Sequence, residues 1–170
     1  MNATPERRTS MTTIKELKVF NLFHGLNDDE LDRVAPLCQE RSLKEGAVCF
    51  LQGTSASELH LCRNGKVNIV VKHFEAPSIY VKIHTASGGE AFGWSALVDP
   101  YLYTASAICA ESTDEIYVRR ANLFKLFDQF PHMGLTFMKN LTALVRFRLT
   151  EYEHRLSKDT ALDMRNDYEW

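Results

Sequence analysis

The stretch Leu43–Val71, "LKEGAVCFLQGTSASELHLCRNGKVNIVV", decides the fold. Its apolar and β-branched residues come in short runs with a period of two, and glycines at 46, 53 and 65 punctuate them. Asn64-Gly65 sits between two alternating runs, which is the strongest short-range hairpin signal a sequence offers. The same rhythm runs from Gln39 to Gly93, with turn signals at "KEGA", "QGTS", "RNGK", "EAPS" and "ASGG". It predicts strands near 47–51, 58–63, 66–72 and 79–85. Short strands at such even spacing indicate a small antiparallel barrel or sandwich.

Both flanks change to a helical period. Upstream, "IKELKVFNLFHGL" places Ile14, Leu17, Phe20 and Leu22–Phe23 at helical spacing, and Gly25 stops the helix. In "LNDDELDRVAPLC" Asn27 or Asp28 caps a second helix, with Leu31, Val34 and Leu37 on one face. Downstream come two more strand-like runs, "YTASAICA" and "DEIYVRR", then a helix in "ANLFKLFDQFP" that Pro131 closes. A long helix follows from about Met133. Leu135, Met138, Thr142, Val145, Leu149, Tyr152 and Leu156 are spaced 3, 4, 3, 4, 3, 4, an unbroken heptad. At 1.5 Å per residue this helix is roughly 35 Å long, more than a roll of this size needs as a lid. The expected layout is a disordered terminus over 1–12, a β-rich unit over 13–132, the long helix over 133–157 and a flexible tail over 158–170.

Bulk properties exclude several classes. The chain has 170 residues, enough for one domain with an appended element. A formal net charge of -2 argues against a dedicated nucleic-acid binder. The four cysteines form no CxxC pair and sit in apolar contexts, as buried thiols of a reduced compartment do. No apolar run approaches the roughly 18 residues of a membrane span, and "MNATPERRTS" has no apolar core of a signal peptide. A cytoplasmic protein is expected. His73 and His84 offer at most two of the three or four ligands that a metal site needs. The acids at 28, 29, 30 and 32 suit a capped first helical turn. No ordered nucleophile, base and orienting acid occur, so no enzyme is expected.

The order of two short helices, a β-roll interrupted by a short helix, and a long terminal helix resembles the cyclic-nucleotide-binding domain of the catabolite-activator (CRP/FNR-like) superfamily. The entry helices in "LFHGLNDDELDRVAPLCQER", the glycine-punctuated strands of the opening stretch, and "SGGEAFGWSAL" at Ser87–Leu97 carry the resemblance. It spans residues 14–156 and implies an α+β, mainly β fold: a double-stranded β-helix, or jelly-roll-like β-roll, with short N-terminal helices and a long C-terminal dimerisation helix. It also implies a homodimer whose helices pair in parallel along the heptad residues, with Arg146, Arg148, Glu151, Glu153 and Arg155 flanking the seam. DNA-binding members carry a helix-turn-helix after the long helix. The residues that follow it here are too few and too polar for one, so DNA binding by this chain alone is not expected.

The resemblance makes Gly89, Glu90, Phe92, Gly93, Trp94, Ser95, Ala96, Tyr103 and Thr104 the phosphate-binding cassette. In the family, amides at the start of the cassette helix face the cyclic phosphate, a following arginine pairs with it, and a glutamate takes the ribose hydroxyl. Here Trp94 stands at the glutamate position and Tyr103 at the arginine position, and no Arg or Lys occurs from Ile83 to Val118. Losing both contacts costs roughly 3–6 kcal/mol, about 10²- to 10⁴-fold in affinity. Cyclic AMP or cyclic GMP would therefore bind weakly. Two readings follow. Trp94, Tyr103 and Thr104 form a re-specialised site for a small effector, a nucleotide or other small anion held by the amides of Ser95 and Ala96, or Trp94 and Tyr103 fill the vacated pocket and leave a dimeric scaffold. The first makes the chain a non-enzymatic regulatory module with an unidentified protein partner.

Overall fold

The computed structural model describes residues 6–7, 12–74, 76 and 78–167, with the backbone alone for 6–7 and 159–167. Among them, nine strands form two antiparallel sheets. The first runs β1 (Glu6–Arg7), β2 (Cys38–Leu43), β9 (Thr113–Arg119), β4 (Glu58–Asn64), β7 (Ala91–Phe92), in that spatial order. The second runs β3 (Val48–Phe50), β8 (Ser106–Cys109), β5 (Lys66–Lys72), β6 (Tyr80–Ser87). This is the mainly β, two-sheet roll that the period of two predicts, and the four predicted strands coincide with β3 to β6.

One detail of the prediction is corrected. Asn64-Gly65 does not close a two-stranded hairpin, because β4 and β5 belong to different sheets. The turn is a corner where the chain crosses between them. Gly65 has φ +94, and a Cβ there would lie 2.6 Å from the Ser112 carbonyl oxygen, so the corner admits only glycine. The apolar layer between the sheets holds Cys62, Val67, Ala86, Phe92, Ala107 and Cys109. All four cysteines are free thiols.

The helices cover the outer face of the first sheet. The run predicted as one helix from Ile14 breaks into α1 (Ile14–Leu17) and a 3-10 turn at Asn21–Phe23, after which Gly25 adopts φ +83. Asn27, not Asp28, caps α2 (Asp28–Val34), in a reciprocal capping box with Glu30. α3 (Arg120–Gln129) is followed directly by α4 (Pro131–Asp167). Pro131 opens this last helix, as its missing amide and fixed φ allow. Met133, Phe137 and Leu141 of α4 pack on Leu17, Leu22, Phe23 and Leu123 to build the larger core. Asn140 Nδ2 donates to the carbonyls of Leu22 and His24 at 3.0 and 2.7 Å, tying α4 to the entry helices.

Two expectations about the ends differ from the structure. Glu6–Arg7 pairs with Arg41 and Ser42 of β2, where an unstructured terminus was expected. Residues 1–5 and 8–11 lie outside the described residues. α4 extends to Asp167, ten residues past the expected helix end, so 158–167 is helical where a flexible tail was expected. Residues 168–170 lie outside the described residues. At 1.5 Å per residue α4 is about 55 Å long.

Candidate functional site

The chain leaves β6 through Gly88-Gly89, crosses β7, and turns at Gly93 into a single 3-10 turn, Trp94–Leu97. Gly93 has φ +72, and a Cβ there would meet His60 Cδ2 at 2.8 Å and Phe50 Cε1 at 3.0 Å. Backbone conformation and packing both demand glycine. The turn ends over a cavity of about 270 Å³. One wall is the roll, with Phe50, Ile69, Ile83, Phe92 and Ala105. The opposite wall is α4, with Val145, Leu149 and Tyr152. Its polar lining comes from His84, Ser95, Thr104 and Arg148, with the Ser95 and Thr104 hydroxyls 3.4 Å apart.

Of the cassette residues, Phe92, Gly93, Trp94, Ser95 and Thr104 line this cavity, and Gly89, Glu90, Ala96 and Tyr103 do not. Ala96 is fully buried in the roll. Gly89 (φ +90) faces Val19 rather than the cavity. Tyr103 corrects the idea of a hydroxyl offered to a ligand. Its ring stacks on Phe50 with centroids 3.7 Å apart. Its hydroxyl donates to the Glu58 carbonyl at 2.8 Å and accepts the Glu58 amide at 3.3 Å. Burial pushes this phenol up to about 12. Tyr103 thus completes the wall, Trp94 edges the space, and the cavity stays open, so the two aromatics do not fill it.

The sequence between Ile83 and Val118 lacks a cation, but the fold brings one from elsewhere. Arg148 of α4 is 5% exposed at its side chain and lines the cavity. It does not flank an external seam as expected. Its Nη2 donates to Glu90 Oε1 at 2.8 Å and its Nη1 to Glu151 Oε2 at 2.7 Å. Glu90 Oε2 also accepts the Ser87 amide at 2.9 Å and lies 3.1 Å from His84 Nε2. Burial opposes ionisation of Glu90, but bonds from Arg148, Ser87 and His84 outweigh it and hold the carboxyl below its ordinary range. Burial, reinforced by the nearby Arg148 charge, lowers the His84 pKa below 6.5, so the imidazole is neutral at pH 7. Glu90 is therefore the link from the cassette turn to α4. A signal for Arg148 exists in the sequence: it falls in register with Met133, Phe137 and Leu141, the stripe that faces the roll.

A second polar group lies behind the wall. Buried Glu115 bonds to Arg41 and lies 3.4 Å from His60 Nδ1. His60 Nε2 reaches the Tyr103 hydroxyl at 3.3 Å. Burial raises the Glu115 pKa, but His60 and Arg41 more than offset it. This network braces the cassette wall from inside the roll. His73 and His84 do not approach each other: His84 pairs with Ile69 across the sheet and is engaged by Glu90. Among the described residues no three metal-ligating side chains converge, and no helix is long and apolar enough to cross a membrane.

A two-sheet roll whose glycine turn is closed by a long helix defines a class of regulatory domain, and comparison with known families agrees. The model of the cyclic nucleotide-binding domain matches residues 40–130, more than half of the chain, and the chain belongs to that family. It is 30% identical over 145 residues to the cyclic AMP receptor protein of Thermus thermophilus, covering 85% of this chain and 64% of the receptor's length. The solved structure of the Thermus thermophilus catabolite activator protein superposes with a TM-score of 0.68 at 29% identity, over 82% of this chain and 63% of that one. A cyclic nucleotide-binding domain from Methylobacillus flagellatus superposes at 0.75 with 22% identity, over 85% of this chain and 83% of that one, which speaks for the fold alone.

Proposed function

We propose that this chain is a non-enzymatic, cytoplasmic, homodimeric sensor module that binds a small effector in the cavity between cassette and α4 and passes the binding event to a partner protein through that helix. One observation carries the proposal: the open cavity has the cassette turn on one side and Val145, Leu149 and Tyr152 of α4 on the other. An occupant that touches both walls has differential contacts with any two positions of α4, which is what coupling requires. The Glu90–Arg148 bond supplies a direct link between the two walls. Leu135, Leu149 and Leu156 remain exposed on α4, as a helix pairing with a second copy would leave them in a single chain. The family supports a nucleotide as one occupant. The missing cassette arginine and ribose glutamate make cyclic AMP and cyclic GMP weak ones.

Hydrogen exchange of α4 at millimolar cyclic AMP and cyclic GMP tests the proposal. Amides of residues 145–156 are expected to gain protection in the wild type and to stay unchanged in Ala105→Trp, which fills the cavity. Equal exchange with and without nucleotide in both proteins would favour the other reading, a dimerisation domain without an effector.

A further inference from the structure

Two of the four cysteines meet between the sheets. Cys49 stands in β3 and Cys109 ends β8, 60 residues apart in the chain, with their sulfurs 3.9 Å apart. The antiparallel pairing of these strands slips between Val48 and Phe50, and Cys49 is the residue the slip leaves without a partner across the ladder. Its side chain packs with Cys109 into the layer that holds Cys62, Phe92 and Ala107. A disulfide needs its sulfurs about 2.05 Å apart. Rotation of two side chains on adjacent, hydrogen-bonded strands spans the difference.

The other two thiols have different surroundings. Cys38 donates to the Val34 carbonyl at 3.6 Å, and Cys62 to the carbonyls of Asn64 and Gly65 at 3.7 and 3.5 Å. Burial pushes both thiols up to about 12, so neither is a thiolate at neutral pH. In the pair, one proton serves two sulfurs. The Cys49 S–H donates to Cys109 and holds the Cys109 thiol below its ordinary value, against burial and the nearby Glu115 charge. That bond, together with burial, pushes Cys49 up. The thiolate is the reactive form of a cysteine. Cys109 is 2% exposed and Cys49 is partly exposed. β3 is three residues long and forms the edge of its sheet, so its local opening admits a small oxidant.

We propose that Cys49 and Cys109 are a redox-modification site that closes to an intramolecular disulfide when the chain meets a hydroperoxide. With hydrogen peroxide, the Cys109 thiolate attacks one oxygen and the O–O bond breaks. A sulfenic acid forms on Cys109, and the departing hydroxide takes the Cys49 proton and leaves as water. The Cys49 thiolate then attacks the Cys109 sulfur, so that the S–S bond forms and the S–O bond breaks. The second hydroxide leaves as water with the proton that Cys109 gave up on ionising. Two thiols are oxidised and one peroxide is reduced. The new bond pins β3 to β8. Phe50, the residue after Cys49, lines the cavity and stacks on Tyr103, so the redox state reaches the cavity wall. The site does not depend on what the cavity binds.

The test treats the reduced full chain with a few equivalents of hydrogen peroxide under native conditions. The chain is then quenched, unfolded and titrated for free thiols, and its crosslinks are located by peptide mass mapping without reductant. Thiols are expected to fall from four to two, with one crosslink within the chain, Cys49 to Cys109, and to return to four with dithiothreitol. Cys49→Ser, which keeps a hydroxyl donor beside Cys109, is expected to form no crosslink within the chain. Hydrogen exchange at residues 48–50 is expected to slow at least about tenfold in the oxidised wild type. Four thiols after treatment, a crosslink to Cys38 or Cys62, or one that survives in Cys49→Ser overturns the proposal. Unchanged exchange at 48–50 overturns the pinning of β3. If Cys49→Ser fails to fold, the crosslink map of the wild type still decides.

Discussion

Arg148 shows how a single side chain sets the character of a site. With Arg148→Met the apolar stem is kept and the charge is lost, leaving Glu90 and Glu151 without the guanidinium that both bond. Hydrogen bonds to charged groups contribute about 1.5–3 kcal/mol, so a loss of that order is expected in urea unfolding at pH 7. The pH dependence has a definite sign. His84 has a folded pKa below 6.5, so between that value and 6.5 the unfolded chain binds the proton first and stability falls as pH drops. Glu90 and Glu115 have folded pKa values below the ordinary carboxylate value of about 4.3. Their contribution is complete above that pH and is lost as pH falls through the lowered values. The urea midpoint of the wild type should therefore decline gently below about pH 6.5 and steeply below about pH 4.3. Glu90→Gln should flatten the steep limb, and a pH-independent midpoint would contradict these assignments. None of this was legible around the cassette, because Arg148 stands 58 residues from Glu90 in the chain. The helical period does put Arg148 in the roll-facing row with Met133, Phe137 and Leu141, but period alone does not say which carboxylate it meets.

Among the elements, the glycine turns were readable and their topology was not. Gly46, Gly53, Gly65, Gly89 and Gly93 all adopt positive φ, as their positions between strand runs suggest. Whether a turn joins paired strands or crosses between sheets depends on what packs beyond it. At Gly65 the Ser112 carbonyl closes the space, and Gly65→Ala would suffer both a positive φ and that contact. We expect a loss of about 1–3 kcal/mol, seen as a lower urea midpoint with an unchanged slope. At Gly46, where a Cβ would meet nothing, the same change should cost less. A larger cost at Gly46 than at Gly65 would mean that close packing is not what reserves Gly65. The short N-terminal helices were visible from caps and periodicity, but the break between Leu17 and Asn21 was not, since it follows from Phe20, Leu22 and Phe23 all turning into one core.

At the scale of the whole molecule, α4 serves two surfaces. Met133, Phe137, Leu141 and Arg148 face the roll and are buried, and Leu149 and Leu156 are 56% and 66% exposed. If these leucines form a helix pair, light scattering of the wild type gives twice the chain mass. Leu149→Asp with Leu156→Asp then gives a single chain mass with an unchanged circular dichroism spectrum. A double variant that keeps the wild-type mass would place any dimer contact elsewhere. Leu149 also lines the cavity, so an occupant there and a pairing helix would contact one and the same side chain.

By itself the sequence determined the mainly β roll, its strand positions and the long terminal helix, which follow from local rules such as the alternation of side chains along a strand, the 3.6-residue period of a helix and the backbone freedom of glycine. The cassette turn was marked by the resemblance to a known family. Only the tertiary structure decided what the cassette faces. Tyr103 turned into the wall because Phe50 and the Glu58 backbone satisfy both its ring and its hydroxyl there, and the space it left open remained a cavity. The cation of the site came from α4, and its charge was spent on Glu90 and Glu151. Such pairings depend on distances across the fold, which side-chain spacing along one chain does not encode.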